Sequence, residues 1–339
     1  MIFGDGKTPL DLAEQMGRHQ IKAMLLECRT WLDLMPSLQL NRTDAFKQGL
    51  AAYGKPPPSG WLFWAVRSNW FAGLQTMVIA GGDVRAADTE GCSLLFRASE
   101  NGQAEMARWL ESNGCRETIF DAISRGDQAH LQRVLQEWAR NDAALNQTNR
   151  HGLTPLAAAV ISGRPELVSA LIAAGASVRT LLRGTWTALD LAVVKNQLAI
   201  ARMLVQAKAP ACSAMEPDGG PLHLAAFLGN SALVQLMLTN GASVSAPAPS
   251  SGYTPLHWAA QEGHAEVVRL LLARGADPKT NARTGAWAID LADPSRSYFR
   301  FVPKNPFERP NWPPPPPDAA RAACLGLLQA VTIPATNSP

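Results

Sequence analysis

The stretch "SGYTPLHWAAQEGHAEVVRLLLARGADPKT", residues 251–280, decides the fold because it contains one complete helix-turn-helix unit. Thr254 can cap the free N–H groups of a helix, and Pro255 suits the first turn, where a missing N–H leaves no bond unmade. The first helix is predicted over Leu256–Gln261 and ends before Gly263, which tolerates the left-handed backbone of a helix stop. Local signals therefore define both ends of a short helix.

A second helix is predicted over Ala265–Ala273, and Gly275 ends it in the same way. Its apolar residues lie around much of its circumference, so the helix must be covered on more than one side. A unit of this size cannot bury its own faces, and neighbouring copies must stack against it. The apolar positions are Val267, Val268, Leu270, Leu271 and Leu272.

The unit recurs along the chain at a fixed period. The residues at the position of Pro255 in successive copies are 33, 33, 34 and 33 residues apart. Weaker copies precede them at 61–118 and, with a shortened hairpin, at 119–138. Such a period is typical of arrays in which each repeat contacts only its neighbours. The marker residues are Pro155, Ala188, Pro221, Pro255 and Ala288.

The motif "TPLHWA", residues 254–259, resembles the T-P-L-H-x-A signature of the ankyrin repeat family, whose period is also 33 residues. The resemblance covers residues 61–292 and recurs at residues 5–27. It implies an all-α solenoid of about seven or eight stacked helix-turn-helix repeats with hairpin loops, degenerate copies included. Lys208 and Trp138 stand where a glycine is expected, so those two copies should have altered hairpins.

The array and its edges divide the chain into five predicted segments. Residues 1–30 form a divergent ankyrin-like repeat, and residues 31–60 break the period as a linker or a degenerate repeat. The main array covers 61–292, and 293–317 is an aromatic and proline-rich insertion. Residues 318–339 should form a closing helix and a tail. The sequence begins inside a repeat hairpin, which favours either a longer array or a cover over this end.

Two histidines and two glutamates, His257, Glu262, His264 and Glu266, raise the question of a metal or catalytic site. Gly263 interrupts the helix between the histidines, so they cannot form the paired ligands of an H-E-x-x-H motif. The resemblance implies that His257 is instead the family's structural histidine, which bonds between neighbouring loops. No other catalytic signature appears. The sequence predicts no enzyme, no metal and no cofactor.

Composition narrows the class of partner and the compartment. The chain of 339 residues carries 31 basic and 28 acidic residues without a Lys/Arg block, so neither nucleic acid nor an anionic membrane is indicated. Five widely spaced cysteines argue against a disulfide framework and for a reducing compartment. No signal peptide or membrane-length apolar run is present. We expect a soluble, cytoplasmic monomer, with self-association through the first repeat as an alternative.

The ankyrin resemblance implies binding of a protein partner through hairpin tips and first helices, which line a concave face. Trp186, Phe227, Leu228 and Tyr253 stand at positions that vary in the family and predict an exposed apolar patch, typical of an interface centre. The alternative is that they pack into neighbouring repeats. The candidate partner-binding residues are Arg150, His151, Leu153, Ile161, Arg183, Trp186, Phe227, Leu228, Tyr253, Gln261 and Glu262.

A possible second binding motif lies in the insertion, where Trp312 precedes Pro313, Pro314, Pro315 and Pro316. It resembles the aromatic-plus-proline ligands of EVH1 domains. The alternative, which we favour, is a rigid extended spacer.

Two functions of different class remain open. The first is a non-enzymatic scaffold or adaptor that binds a protein through its middle repeats. The second is a targeting or regulatory module of a larger protein, or a host-directed bacterial effector.

Overall fold

A computed structural model describes most of the chain, in four ranges: 43–138, 145–210, 219–296 and 314–332. Within these ranges the regular structure is helical, and paired extended backbone is limited to two isolated bridges, Ala87–Ser93 and Leu182–Trp186. The all-α class that the sequence predicts is therefore confirmed for the described residues.

The chain divides into two compact units, Met1–Thr118 and Ile119–Pro339. The five predicted segment boundaries stay a prediction. In the first unit, Phe46 and Trp70 pack edge to face in the core, with 4.9 Å between ring centroids. The described helices of this unit are α1 (Thr43–Tyr53), α2 (Ser59–Arg67), α3 (Phe71–Ile79), α4 (Leu94–Glu100) and α5 (Ala104–Ser112).

In the described part of the second unit, six helix pairs stack around one continuous core. Each first helix packs on its own second helix and on the first helix of the next pair. The first helices are α6 (Ile119–Arg125), α8 (Pro155–Ser162), α10 (Ala188–Val194), α12 (Pro221–Phe227), α14 (Pro255–Gln261) and α16 (Ala288–Ala292). The second helices are α7 (Gln128–Trp138), α9 (Pro165–Ala173), α11 (Leu198–Gln206), α13 (Ser231–Thr239), α15 (Ala265–Ala273) and α17 (Asp318–Thr332).

The helix starts follow the predicted capping chemistry, with one difference. The hydroxyl of Thr154 accepts the backbone N–H of Ala157, at 3.2 Å, and so caps α8. In the copy that begins at Thr254, the hydroxyl lies 2.8 Å from Nδ1 of His257 instead. The backbone N–H of Thr254 also donates to that Nδ1, at 3.1 Å. In this copy the histidine ring therefore accepts a backbone N–H at the helix start, as the second half of a capping box with Thr254.

The last helix, α17, takes the place of a second helix. The glycine after a first helix contacts the start of the next second helix: a Cβ on Gly229 would lie 2.4 Å from the His264 ring. A Cβ on Gly263 would lie 2.9 Å from Cβ of Ala320 in α17. The guanidinium of Arg321 donates to the carbonyls of Leu291 (3.1 Å) and Asp293 (2.6 Å). These bonds join α17 to the end of α16.

The helix end at Lys208 has the usual left-handed turn, while the altered hairpins expected after Lys208 and Trp138 stay a prediction. Lys208 adopts φ 63, in the left-handed region where Gly241 (φ 87) and Gly275 (φ 86) stand in other copies. Its N–H donates to Val205 O at 2.9 Å, as the turn requires. The stacking of α11 on its neighbours thus imposes the glycine conformation on a residue that has a Cβ. The hairpin at 211–218 and the residues after Trp138 lie outside the described ranges.

We expect Lys208→Gly to raise the free energy of unfolding by about 1 kcal/mol, because a left-handed residue with a Cβ is strained by roughly that amount. Urea denaturation followed by circular dichroism measures the change. The control is Lys279→Gly, an exposed hairpin lysine without a left-handed backbone, which should not stabilise the chain. A loss of stability in Lys208→Gly would contradict the prediction.

Asp190 is a buried carboxyl at the position where the next two copies have His223 and His257. One oxygen, Oδ2, accepts both the backbone N–H and the hydroxyl of Thr187, at 2.8 and 2.6 Å. The other, Oδ1, is buried and makes no hydrogen bond with a described residue. Burial raises the pKa of Asp190 to about 6, against the hydrogen bonds from Thr187, which favour the ionised form.

We therefore expect Asp190 to make the chain more stable as the pH falls from about 6 to about 4. The folded state binds the proton more tightly than the unfolded state, where the pKa is near 3.9. Asp190→Asn should remove this gain and should stabilise the chain at pH 7. Urea midpoints across pH 4–7 measure the effect, with exposed Asp277→Asn as the control. Equal pH dependence in the wild type and Asp190→Asn would overturn the prediction.

Candidate protein-binding surface

The hairpin tip between α7 and α8 presents two of the predicted partner-binding residues. Arg150 and His151 are exposed at the turn. The side chain of Asn149 holds this turn, since its Oδ1 accepts the N–H groups of His151 and Leu153, both at 3.0 Å. The two side chains therefore project from a backbone that is fixed by hydrogen bonds.

The next tip carries Arg183, which is also exposed. Its backbone is left-handed, with φ 50, and the following Gly184 has φ 83. The guanidinium Nε of Arg183 donates to the carbonyl of His151 at 2.8 Å. Successive tips are thus in direct contact, and Arg183 lies against the preceding hairpin.

The predicted exposed aromatic patch is wrong. Trp186, Phe227 and Tyr253 are 2%, 0% and 4% exposed. Phe227 packs edge to face on Trp258, with 5.5 Å between centroids, and Tyr253 stacks on the His257 ring at 5.4 Å. The rings fill space between neighbouring repeats, which is the alternative interpretation of these positions. None of the three offers a surface to a partner.

Gln261 and Glu262 are also buried, at 6% and 3% exposure, although both were predicted to contact a partner. Gln261 Nε2 donates to Glu262 Oε1 at 3.1 Å. The first turn of α17 covers the adjoining Gly263. The equivalent helix end at Ser162 is exposed, so the surface is accessible in the earlier repeat and closed in the last complete one.

The accessible candidates therefore cluster near the first tips of the second unit. Leu153 and Ile161 are half-buried and pack against the core from this side, and Leu228 is half-buried in a later repeat. Sequence reasoning missed Arg283, an exposed arginine at the corresponding corner of the last hairpin. The repeat period could have identified it, since it lies 100 residues, or three repeats, after Arg183.

The histidines of the opening motif bond to separate backbone groups. His257 Nε2 lies 3.2 Å from the carbonyl of Ala286 in the next hairpin, as the resemblance implies. His264 Nε2 lies 2.9 Å from the carbonyl of Phe227 in the preceding repeat. Burial lowers the pKa of both rings, which favours the neutral form of each. Both serve the contact between repeats.

One group of described side chains has the spacing of a metal site: Asp88, Glu90 and Cys92. The carboxylate of Asp88 is already engaged, since it accepts the N–H groups of Glu90 and Cys92 and binds Arg97 Nε at 2.8 Å. Arg97 also pairs with Glu90 and Glu100. These contacts explain the acidic group as part of a hairpin that one arginine holds together.

The structure describes only part of the proline motif. Trp312 and Pro313 lie outside the described residues, while Pro314 and Pro315 are exposed and Pro316 is half-buried just before α17. Binding by this motif stays a prediction.

Comparison with known proteins gives the family. Residues 119–215 and 212–282 match the family model for ankyrin repeats. The Notch-regulated ankyrin repeat-containing protein of Xenopus tropicalis is 33% identical over 90 residues, 26% of this chain and 78% of that protein. The ankyrin repeat protein nuc-2 of Neurospora crassa is 32% identical over 150 residues, 44% of this chain and 14% of that protein.

Other proteins are similar to this chain over a small share of their sequence or in their fold. Protein VAPYRIN-LIKE of Medicago truncatula is 26% identical over 116 residues, 33% of this chain. The chain spans a quarter of that relative and 14% of nuc-2. The ankyrin repeat domain of Bcl-3 has a TM-score of 0.48 and 29% identity, over 52% of this chain and 80% of that one. The human ASB11 ankyrin repeat domain has a TM-score of 0.44 and 26% sequence identity, over 70% of this chain and 93% of that chain.

The TPLHWA motif, the stacked helix pairs, the family model and the Xenopus relative, most of whose length is matched, agree: this chain belongs to the ankyrin repeat family.

Proposed function

We propose that this chain is a non-enzymatic scaffold or adaptor that binds a protein partner through the hairpin tips and first-helix ends of the second unit. Ankyrin repeat proteins generally mediate protein–protein interaction, and their homologues are typically non-enzymatic. The observation that carries the proposal is the pair of neighbouring tips, where exposed Arg150, His151 and Arg183 are held by hydrogen bonds.

A surface of this kind favours binding for two physical reasons. The tip backbone is already ordered, so less conformational entropy is lost on association. Arginine is also enriched among the residues that contribute most to interfaces. The half-buried side chains of Leu153 and Ile161 add apolar contact beside the charged tips. The proposed binding surface therefore contains fewer residues than the surface that the sequence predicts, and it lies nearer the start of the second unit.

We expect the partner to be a protein, because ankyrin repeat proteins generally bind proteins. We place the chain in a reducing compartment, because its five cysteines are widely spaced along the sequence, and Cys92, Cys115 and Cys324 are buried. Among the helices of the described ranges, none combines the length and the apolar character that crossing a membrane requires.

A second candidate, a targeting or regulatory module of a larger protein, is favoured by one observation. Two of the relatives are much longer than the segment that matches, which is 25% of one and 14% of the other. In such proteins an ankyrin array is one part of a longer chain. Both candidates use the same surface and differ in what is attached to it.

Site-specific photo-crosslinking in native lysate tests the proposed surface. We expect His151→p-benzoylphenylalanine to give a discrete crosslinked protein, because His151 lies exposed between two arginines at the tips. The matched control carries the same residue at exposed Arg274, after α15, and should not give that product. Circular dichroism verifies that both variants fold. Identical crosslinked products at the two positions, or none at His151, would sink the proposed site.

A further inference from the structure

An arginine recurs at the first corner of three hairpin turns in the second unit. Gly152 N–H donates to Asn149 O and Gly285 N–H donates to Ala282 O, both at 2.9 Å, which places Arg150 and Arg283 next in each turn. Arg183 follows Leu182, whose carbonyl accepts the N–H of Thr185 at 3.2 Å. The three arginines are Arg150, Arg183 and Arg283, and all are exposed.

Two of these arginines, Arg183 and Arg283, pack against a glycine in the preceding hairpin tip. A Cβ on Gly152 would lie 2.9 Å from Cγ of Arg183, and a Cβ on Gly252 would lie 2.8 Å from the backbone N of Arg283. The N–H of Arg283 donates to Ser251 O at 2.9 Å. An arginine is therefore held against the preceding tip at two separate junctions, Arg183 through its side chain and Arg283 through its backbone. The arginines have fixed places along one edge.

Positive charge predominates in the described hairpins of this edge, whereas the sequence of the hairpin at 209–220 carries two acidic residues, Glu216 and Asp218. The described hairpins, residues 145–153, 176–187, 242–254 and 276–287, contain five basic residues and one acidic residue, whereas the whole chain has 31 basic and 28 acidic. The acidic residue, Asp277, uses Oδ1 to accept the N–H of Lys279 at 2.9 Å. The basic residues are Arg150, Arg179, Arg183, Lys279 and Arg283.

We propose that this arginine edge, defined by Arg150, Arg183 and Arg283, binds an acidic segment of the partner protein that lies along the hairpin tips. This inference rests on the proposed function and names the chemistry of its partner. A guanidinium has five N–H donors in a planar fork that matches a carboxylate, so a bond within the array and a bond to a partner can coexist. Complementary charge also speeds encounter and selects the partner.

An acidic peptide fits this edge better than the other common polyanion, nucleic acid. Proteins that bind single strands combine basic grooves with aromatic side chains on which bases stack. Of the tryptophan and tyrosine residues of these hairpins, Trp186 and Tyr253 are buried, and Trp287 is 40% exposed. The edge thus offers separate guanidinium groups and one exposed ring, rather than the row of rings on which successive bases stack, which suits spaced carboxylates.

Fluorescence anisotropy with the full chain tests the proposal. The probes are a labelled peptide of three Asp-Gly-Glu-Ser units, its lysine counterpart and a single-stranded oligonucleotide of equal charge. We expect the acidic peptide to bind, more weakly as salt rises. Arg150→Glu with Arg183→Glu should lower its affinity at least about tenfold, because each change turns attraction into repulsion. Arg283→Glu alone should also weaken binding.

The matched control is Arg202→Glu with Arg274→Glu, which makes the same change of net charge on the second-helix side. Equal weakening by the two double variants would overturn the proposal, as would tighter binding of the oligonucleotide or the lysine peptide, or no binding of the acidic peptide. A failed peptide experiment with a crosslink retained at His151 would reject the acidic partner and leave the proposed function standing.

Discussion

Every feature of this chain depends on one constraint: a single repeat cannot bury both of its faces. The second helix α15 is apolar around much of its circumference, and its Val267, Val268 and Leu271 are covered only because α13 and α17 lie beside it. Stacking therefore fixes the period, and the period fixes where each hairpin tip lies. The functional surface is a consequence of how the core is covered.

One buried position connects a repeat to the next where it holds a histidine, as at His223 and His257. His257 accepts the N–H of Thr254 at Nδ1, which leaves the proton on Nε2 to meet Ala286 O of the following hairpin. His223 bonds to Ala246 O in the same way, at 2.8 Å. Asp190, at the same position, keeps the bond to the helix start and lacks the second nitrogen. At this position a histidine therefore makes hydrogen bonds to two successive hairpins, whereas the aspartate makes them to one.

The sequence was sufficient for the fold because its signals are local and repeated. Thr154, Pro255 and the glycines after each helix act within one turn, and the period then extends them along the chain. Exposure could not be predicted in the same way. Tyr253 and Phe227 stand at positions that vary in the family, but here they pack on Trp258, and only the stacked structure shows which ring meets which neighbour.

Nitrogen-15 NMR of the histidine rings between pH 4 and 8 tests the central claim most directly. Burial lowers the pKa of His223 to about 4, so this ring should stay neutral, with the proton on Nε2, well below pH 6. Burial also lowers the pKa of His257, whose proton should likewise lie on Nε2. Because the unfolded histidine binds its proton near pH 6.5, the contribution of these two histidines to the free energy of unfolding should fall as the pH drops from there towards 4, opposite in sign to the contribution of Asp190. Protonation of both rings near pH 6.5 in a folded chain, or a proton on Nδ1, would contradict the account.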